Sequence, residues 1–149
     1  MRMLRSVVVL LAVALAGCGL IGPSKDAVES FCGEVVPVLA EWHAEALKPY
    51  ATDAFNAKVG TPDQQRMFVV FSKLGDLSSF ETPRMTGYST ATGAGTFVTV
   101  EINAKFSRGP ALIRLSLRSS GGTLKLQGVD IDSPVFGNPS AQPSAVQQI

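Results

Sequence analysis

Histidine occurs once in the 149 residues, tryptophan once and cysteine twice. A lone histidine rules out a paired-histidine zinc site, and two cysteines cannot build a disulfide framework. Charge is sparse and balanced, with 13 Lys and Arg against 12 Asp and Glu. A chain that neutralises several phosphates carries a surplus of basic residues, so a nucleic-acid partner is not expected. The longest unbroken apolar run, Val7 to Ala16, has ten residues. As a helix it covers ~15 Å, about half of the ~30 Å hydrocarbon layer that a spanning helix must cross. No Gly-x-Ser-x-Gly elbow occurs, and Gly93-Ala94-Gly95 precedes a strand pattern instead of a helix that would hold phosphate. No internal repeat is visible.

The first residues read as an export segment. Arg2 and Arg5 precede the apolar run, which closes on Leu15-Ala16-Gly17-Cys18. That close resembles the lipobox of bacterial prolipoproteins, which is a Leu, two small residues and the lipidated Cys, and all four positions match. The resemblance implies a signal peptide over 1–17, diacylglycerol transfer to the Cys18 thiol, cleavage before Cys18 and acylation, with palmitate a usual chain, of the new amino terminus. Two or three acyl chains make a stable tether where one holds only marginally. The expected partner is therefore a membrane, reached through acyl chains on Cys18. Gly19 follows the Cys where Asp is the familiar inner-membrane retention signal, so in a Gram-negative cell the resemblance favours the outer membrane, facing the periplasm. The alternative is a plain secretory signal cleaved at a small-residue site such as Ala16-Gly17, leaving Cys18 a free thiol. Removing residues 1–17 takes away two Arg and no acid, so the remainder is slightly acidic.

Residues 18–25, with Gly22-Pro23, read as a tether, and 26–133 as one domain. Asp26 and Glu29 have capping-box spacing, and Val28, Phe31, Cys32, Val35, Val38, Leu39, Trp42 and Ala46 recur at helical steps. Pro37 predicts a kink near Gly33 to Pro37, or two helices meeting there, and Pro49 ends the segment. Ala51 to Lys58 has room for a further turn. Thr61, Pro62 and Gln64 announce a second helix with the apolar face Met67, Val70, Phe71 and Leu74, closed by Gly75. Leu77 to Tyr88 is ambiguous, with a first strand near Glu81 to Tyr88 as one reading, and Ser89 to Gly95 reads as a loop.

Beyond it, Val98, Val100, Ile102, Ala104 and Phe106 alternate with polar residues, as do Ala111, Ile113, Leu115 and Leu117. Four-residue turns at Ser107 to Pro110 and Ser119 to Gly122 would set Phe106 opposite Ala111, Ala104 opposite Ile113 and Leu117 opposite Leu124. The alternation then slips at Gly128, since Leu124 and Leu126 are even and Val129 and Ile131 odd, which predicts a bulge and a curved meander. Residues 134–149 read as a disordered tail. Helices first and a bulged antiparallel meander last define an α+β domain of one helical layer on one curved sheet. The ending Leu124 to Ile131 resembles the cone-shaped cystatin-like and nuclear-transport-factor-like folds, which include small envelope lipoproteins of unknown function.

Candidate chemistry is thin. His43 is flanked by Glu41 and Glu45, but residues two apart on a helix point in different directions. Cys32 lies on an apolar face with no histidine to activate it and reads as a small buried hydrophobe. Enzymes of the cone-shaped class place an acid and a Tyr in the mouth between sheet and helices, and here the candidates are Tyr50, Tyr88, Asp53 and Glu101. No cofactor or metal is expected. On the outward face of the meander, Lys105, Arg114, Arg118 and Lys125, with Arg108 in a turn, stand against Glu101 alone; they read as a solvated face with lysines protecting an edge, and the alternative is contact with an anionic surface or an acidic envelope protein. The expected function is a non-catalytic, membrane-anchored envelope lipoprotein acting as an interaction module. The rivals are a small isomerase-like enzyme and an apolar-ligand carrier, each with a pocket between helices and sheet.

Overall fold

The computed structural model describes residues 22–137. The export segment, Cys18, the first part of the tether and residues 138–149 lie outside the described residues. Helices lead and strands follow, in the order α1 Lys25–Leu39, a 3-10 segment Ala44–Tyr50, α2 Asp53–Asn56 and α3 Pro62–Phe71, then β1 Leu77–Phe80, β2 Arg84–Ala91, β3 Gly95–Phe106, β4 Gly109–Ser120 and β5 Thr123–Asp132. All strand pairs are antiparallel, and one open, curved sheet carries the helices on one face. The α+β class read from the sequence is the class observed.

Helix α1 starts two residues earlier than the capping box suggests. The Ser24 hydroxyl accepts from the Ala27 N–H at 3.1 Å, so Ser24 is the cap and Asp26 lies in the first turn, where its charge suits the helix dipole. Val28, Cys32, Val35, Val36 and Leu39 form the buried stripe. Pro37 does not break the helix. Both Pro37 and Gly33, whose carbonyl it leaves without its usual donor, are exposed, so that carbonyl is not shut away from solvent. The helix ends two residues later, at Leu39, and does not run on through Trp42.

Trp42 makes the reversal. Its backbone adopts φ +60°, a left-handed conformation that costs a non-glycine residue about 1–2 kcal/mol, and its N–H donates to the Leu39 carbonyl at 3.0 Å. The indole offsets that cost through packing, with ring centroids 5.4 Å from Phe106 and 6.4 Å from Phe71.

Helix α3 follows its signals at the start. The Thr61 hydroxyl accepts from the Gln64 N–H, while the Gln64 side chain accepts from the Gly60 N–H at 3.2 Å, one residue before its capping-box position. Its buried face is Gln64, Phe68 and Phe71. Val70 is 37% exposed and Met67 only partly buried, a correction to the expected stripe, because Phe68 takes the place against the core.

Strands β1 and β2 both pair with the same side of β3, one beyond the other, and β4 and β5 follow on the other side. The segment from Ser89 to Ala91, read as loop, is strand, and β2 turns into β3 across Thr92-Gly93-Ala94. Both later hairpins are two residues tighter than expected. Phe106 pairs with Gly109 and Ala104 with Ala111, while Leu117 pairs with Leu126 and Ser120 with Thr123. A two-residue slip keeps every side chain on its own face, so alternation alone could not fix it. The turn Ser107-Arg108 is held from outside the hairpin: Ser107 N–H donates to the Asp76 carbonyl at 2.8 Å and Arg108 N–H to that of Leu74 at 3.1 Å. Gly121 and Gly122, at φ +58° and +80°, make the other turn type I′.

The bulge lies where the slip in alternation placed it. Ser116 pairs with Gly128 and Leu117 with Leu126, leaving Gln127 as the extra residue. Past β5, Ser133 is buried and donates its hydroxyl to the Pro110 carbonyl at 2.7 Å, and Val135 and Phe136 pack on the core. The ordered body therefore extends beyond residue 133, and Pro134–Phe136 belong to it instead of the tail.

Candidate functional site

The space between helices and sheet is where an enzyme or a carrier of this architecture would hold its ligand. Leu39, Leu47 and Leu74 from the helical layer meet Val100, Ile102, Leu115, Leu117 and Leu126 from the sheet, all at most 1% exposed. Close-packed aliphatic side chains leave no room there for a substrate. The described grooves are all open to solvent and lie at the margins of this layer or on the outer face of the sheet.

The acid and Tyr candidates do not converge. Tyr50 packs edge-to-face on Phe31 at 6.4 Å, and Asp53 is exposed in the first turn of α2, beside the β5 edge. Glu101 is on the outer face, and Tyr88 stands on β2, at the opposite edge of the sheet. His43 is exposed where the 3-10 segment begins, on a groove of about 840 Å³ that also takes in Glu41, Glu45 and Gln64. Of the neighbours Trp42 and His43, Trp42 faces the core edge, and its indole N–H donates to the Gly75 carbonyl at 3.0 Å. Among the described residues no group of three His, Cys, Asp or Glu side chains is arranged to hold a metal ion. Cys32 is fully buried, and burial pushes its thiol up to about 12, which keeps it protonated and inert.

The outer face of the sheet differs most from the sequence reading. Arg84 pairs with Glu101, Glu101 with Arg114 and Arg114 with Asp130 in the strand register, so one row of alternating charge crosses four strands. Glu101 accepts from Arg84 at 3.0 Å and from Arg114 at 3.1 Å, and Arg114 reaches Asp130 at 3.4 Å. These hydrogen bonds, that from Arg84 foremost, hold the Glu101 carboxyl below the usual carboxylate range. Glu101, hydrogen-bonded first, also raises the Arg114 guanidinium.

Arg114 is thus neutralised and does not belong to a basic stripe. The bulge is the reason. With Gln127 inserted, the outward positions of β5 change from odd to even, which turns Asp130 and Asp132 onto the face that Lys125 occupies. Arg118 is engaged as well: its Nε donates to the Ala94 carbonyl at 2.6 Å, and its guanidinium lies 5.9 Å from the Phe97 ring centroid. Lys105, Arg108 and Lys125 remain exposed without an ion pair among the described residues, but they do not form one field. Lys125 is opposite Arg118, whereas Lys105 is at the other end of β3, on a groove of about 630 Å³ over Leu112 that Glu81 and Asp132 also line. The outer face is mixed in sign. The sequence contained the information for this, since the slip at Gly128 already implied the reversal for Asp130 and Asp132.

No family model, curated protein or solved structure matches this chain.

Proposed function

We propose that the protein is a lipid-anchored component of the bacterial cell envelope, acylated at Cys18, whose α+β body is a non-catalytic interaction module. The observation that supports the module is the packed interior. A cone-shaped enzyme or an apolar carrier needs a cavity between helices and sheet, and in this chain Leu47, Leu74, Ile102 and Leu115 fill it. What supports the anchor is the match of Leu15-Ala16-Gly17-Cys18 to the lipobox, together with an apolar run too short to span a bilayer. No helix of the described residues is long and apolar enough to cross a membrane. Outer-membrane attachment facing the periplasm is the location that Gly19 favours in a Gram-negative cell.

Two measurements test this reading. The intact mass of the protein purified from membranes is expected to correspond to a chain starting at Cys18 and carrying acyl groups, and Cys18→Ser is expected to lose membrane retention. A chain starting elsewhere with a free thiol overturns the anchor. Titration with a fluorescent fatty acid is expected to show no saturable site; a one-to-one site within the body replaces the module with the carrier.

A further inference from the structure

Of the five strands, β2 is the least covered. In register, Met85 is opposite Val100 and Tyr88 opposite Val98, so both sit on the helix-bearing side of the sheet, next to fully buried neighbours. The helical layer does not reach them: Met85 is 42% exposed and Tyr88 56%. They extend the apolar side of the sheet out to an edge strand with nothing beyond it in the sheet. The other outer edge is managed differently. Ala51 bridges to Leu126 on β5, and the Thr52 N–H donates to the Leu126 carbonyl at 2.9 Å, so part of that edge is covered by the chain itself.

The described chain begins against this same patch. Gly22 packs on the Tyr88 ring so closely that a β-carbon at residue 22 would overlap it. Cys18 is four residues before Gly22, and four residues span at most about 14 Å whatever path they take. The β5 edge is three strand spacings further across the sheet, roughly 14 Å more. Only a tether drawn straight across the sheet would bring Cys18 level with the β5 edge, and every other path leaves its acyl group closer to the β2 edge, where the described chain begins.

The chemistry of the patch fits that position. Between Arg84 and Ala91 there is no acidic residue, and Arg84 is the only charge. Tyrosine favours the headgroup level of a bilayer, where its ring is in apolar surroundings and its hydroxyl in water. We propose that Met85 and Tyr88 form the membrane-facing surface of the body and seat on the lipid interface in the anchored protein. The inference rests on the acylation of Cys18 and goes beyond it, because a tether alone leaves the orientation of the body free.

The test uses the full mature protein in phosphatidylethanolamine–phosphatidylglycerol vesicles. An environment-sensitive fluorophore is placed through Thr90→Cys, on the same side of β2 as Tyr88, or through Lys58→Cys, by the β5 edge; Cys32 is buried and stays unlabelled. Headgroup-level spin-labelled lipid is expected to quench the Thr90 probe roughly threefold more than the Lys58 probe. Met85→Ser with Tyr88→Ser is expected to bring the two probes level while the protein still floats with the vesicles. Equal quenching in the unaltered protein overturns the inference and leaves the anchor standing. So does a Thr90 probe shielded from water but not quenched by lipid, which would mean that Leu20-Ile21 or a second copy covers the patch. A mature protein purified from membranes that carries no acyl group on Cys18 overturns the anchor and the inference together.

Discussion

The indole N–H of Trp42 donates to the carbonyl of Gly75 across 33 positions of sequence, at 3.0 Å. This bond joins the reversal after α1 to the segment that enters the sheet. Through Phe106 and Phe71 the same ring touches the end of β3 and the end of α3. Trp42→Phe keeps an aromatic ring and removes the donor, and is expected to destabilise the fold by about 1–2 kcal/mol. Trp42→Ala also removes the packing and is expected to cost about 3 kcal/mol or more. Urea unfolding at constant slope checks both values, and a Trp42→Phe midpoint equal to wild type contradicts the role given to the bond.

The charged row across the outer face predicts a pH dependence. The Glu101 carboxyl is held below its ordinary range by Arg84 and Arg114. Its contribution is therefore present above the unfolded carboxylate value and lost as pH falls through the lower folded value. Glu101→Gln is expected to be less stable than wild type at neutral pH, with the gap closing as pH falls below the ordinary carboxylate range and narrowing in high salt. Thermal melts across that range decide it; a gap independent of pH would mean that the substitution acts through packing alone.

Cys32 is expected to be silent in the native state. Burial pushes its thiol from the ordinary value of 9.0 up to about 12. In a Cys18→Ser variant, where Cys32 is the only thiol, a maleimide at mildly alkaline pH should add nothing until denaturant is present. The raised value also means that stability from this group is complete below about 9 and declines towards about 12, as the unfolded chain ionises first. Rapid native labelling, read by intact mass, would show that α1 opens from the sheet.

The type I′ turn between β4 and β5 requires positive φ at Gly121 and Gly122. Nothing lies within 4 Å of a β-carbon at either position, so a substitution there reports on backbone strain alone. Gly122→Ala is expected to cost about 1 kcal/mol, and Gly121→Asn a smaller amount because Asn tolerates the left-handed region. Tm differences measure both, and the reverse order would contradict the turn assignment.

Much of the architecture was legible in the residues because it depends on local periods. Alternation from Val98 to Leu117 placed two strands, the change of parity at Gly128 placed the bulge, and Thr61-Pro62 placed the start of α3. The hairpin registers were not legible. A shift by two residues preserves every facing relation, and the choice was made by hydrogen bonds from Ser107 and Arg108 to the distant Asp76 and Leu74. The ambiguous stretch before β3 became β1 and β2 because β3 offered a long edge for both to pair with.

The candidate site divides the same way. The proposed anchor rests on a resemblance carried by four consecutive residues, Leu15 to Cys18, and needs no folded structure to be read. The outer face could not be judged from a list of outward lysines and arginines, because its sign depends on which acid each base meets across the strands. Sequence alone determined the α+β class, with helices first and the meander last, and the place of the bulge, since each follows from contacts between near neighbours in the chain. Tertiary structure decided which charges meet, how the core closes over Trp42 and why Met85 and Tyr88 stay bare, because these depend on residues that only folding brings together.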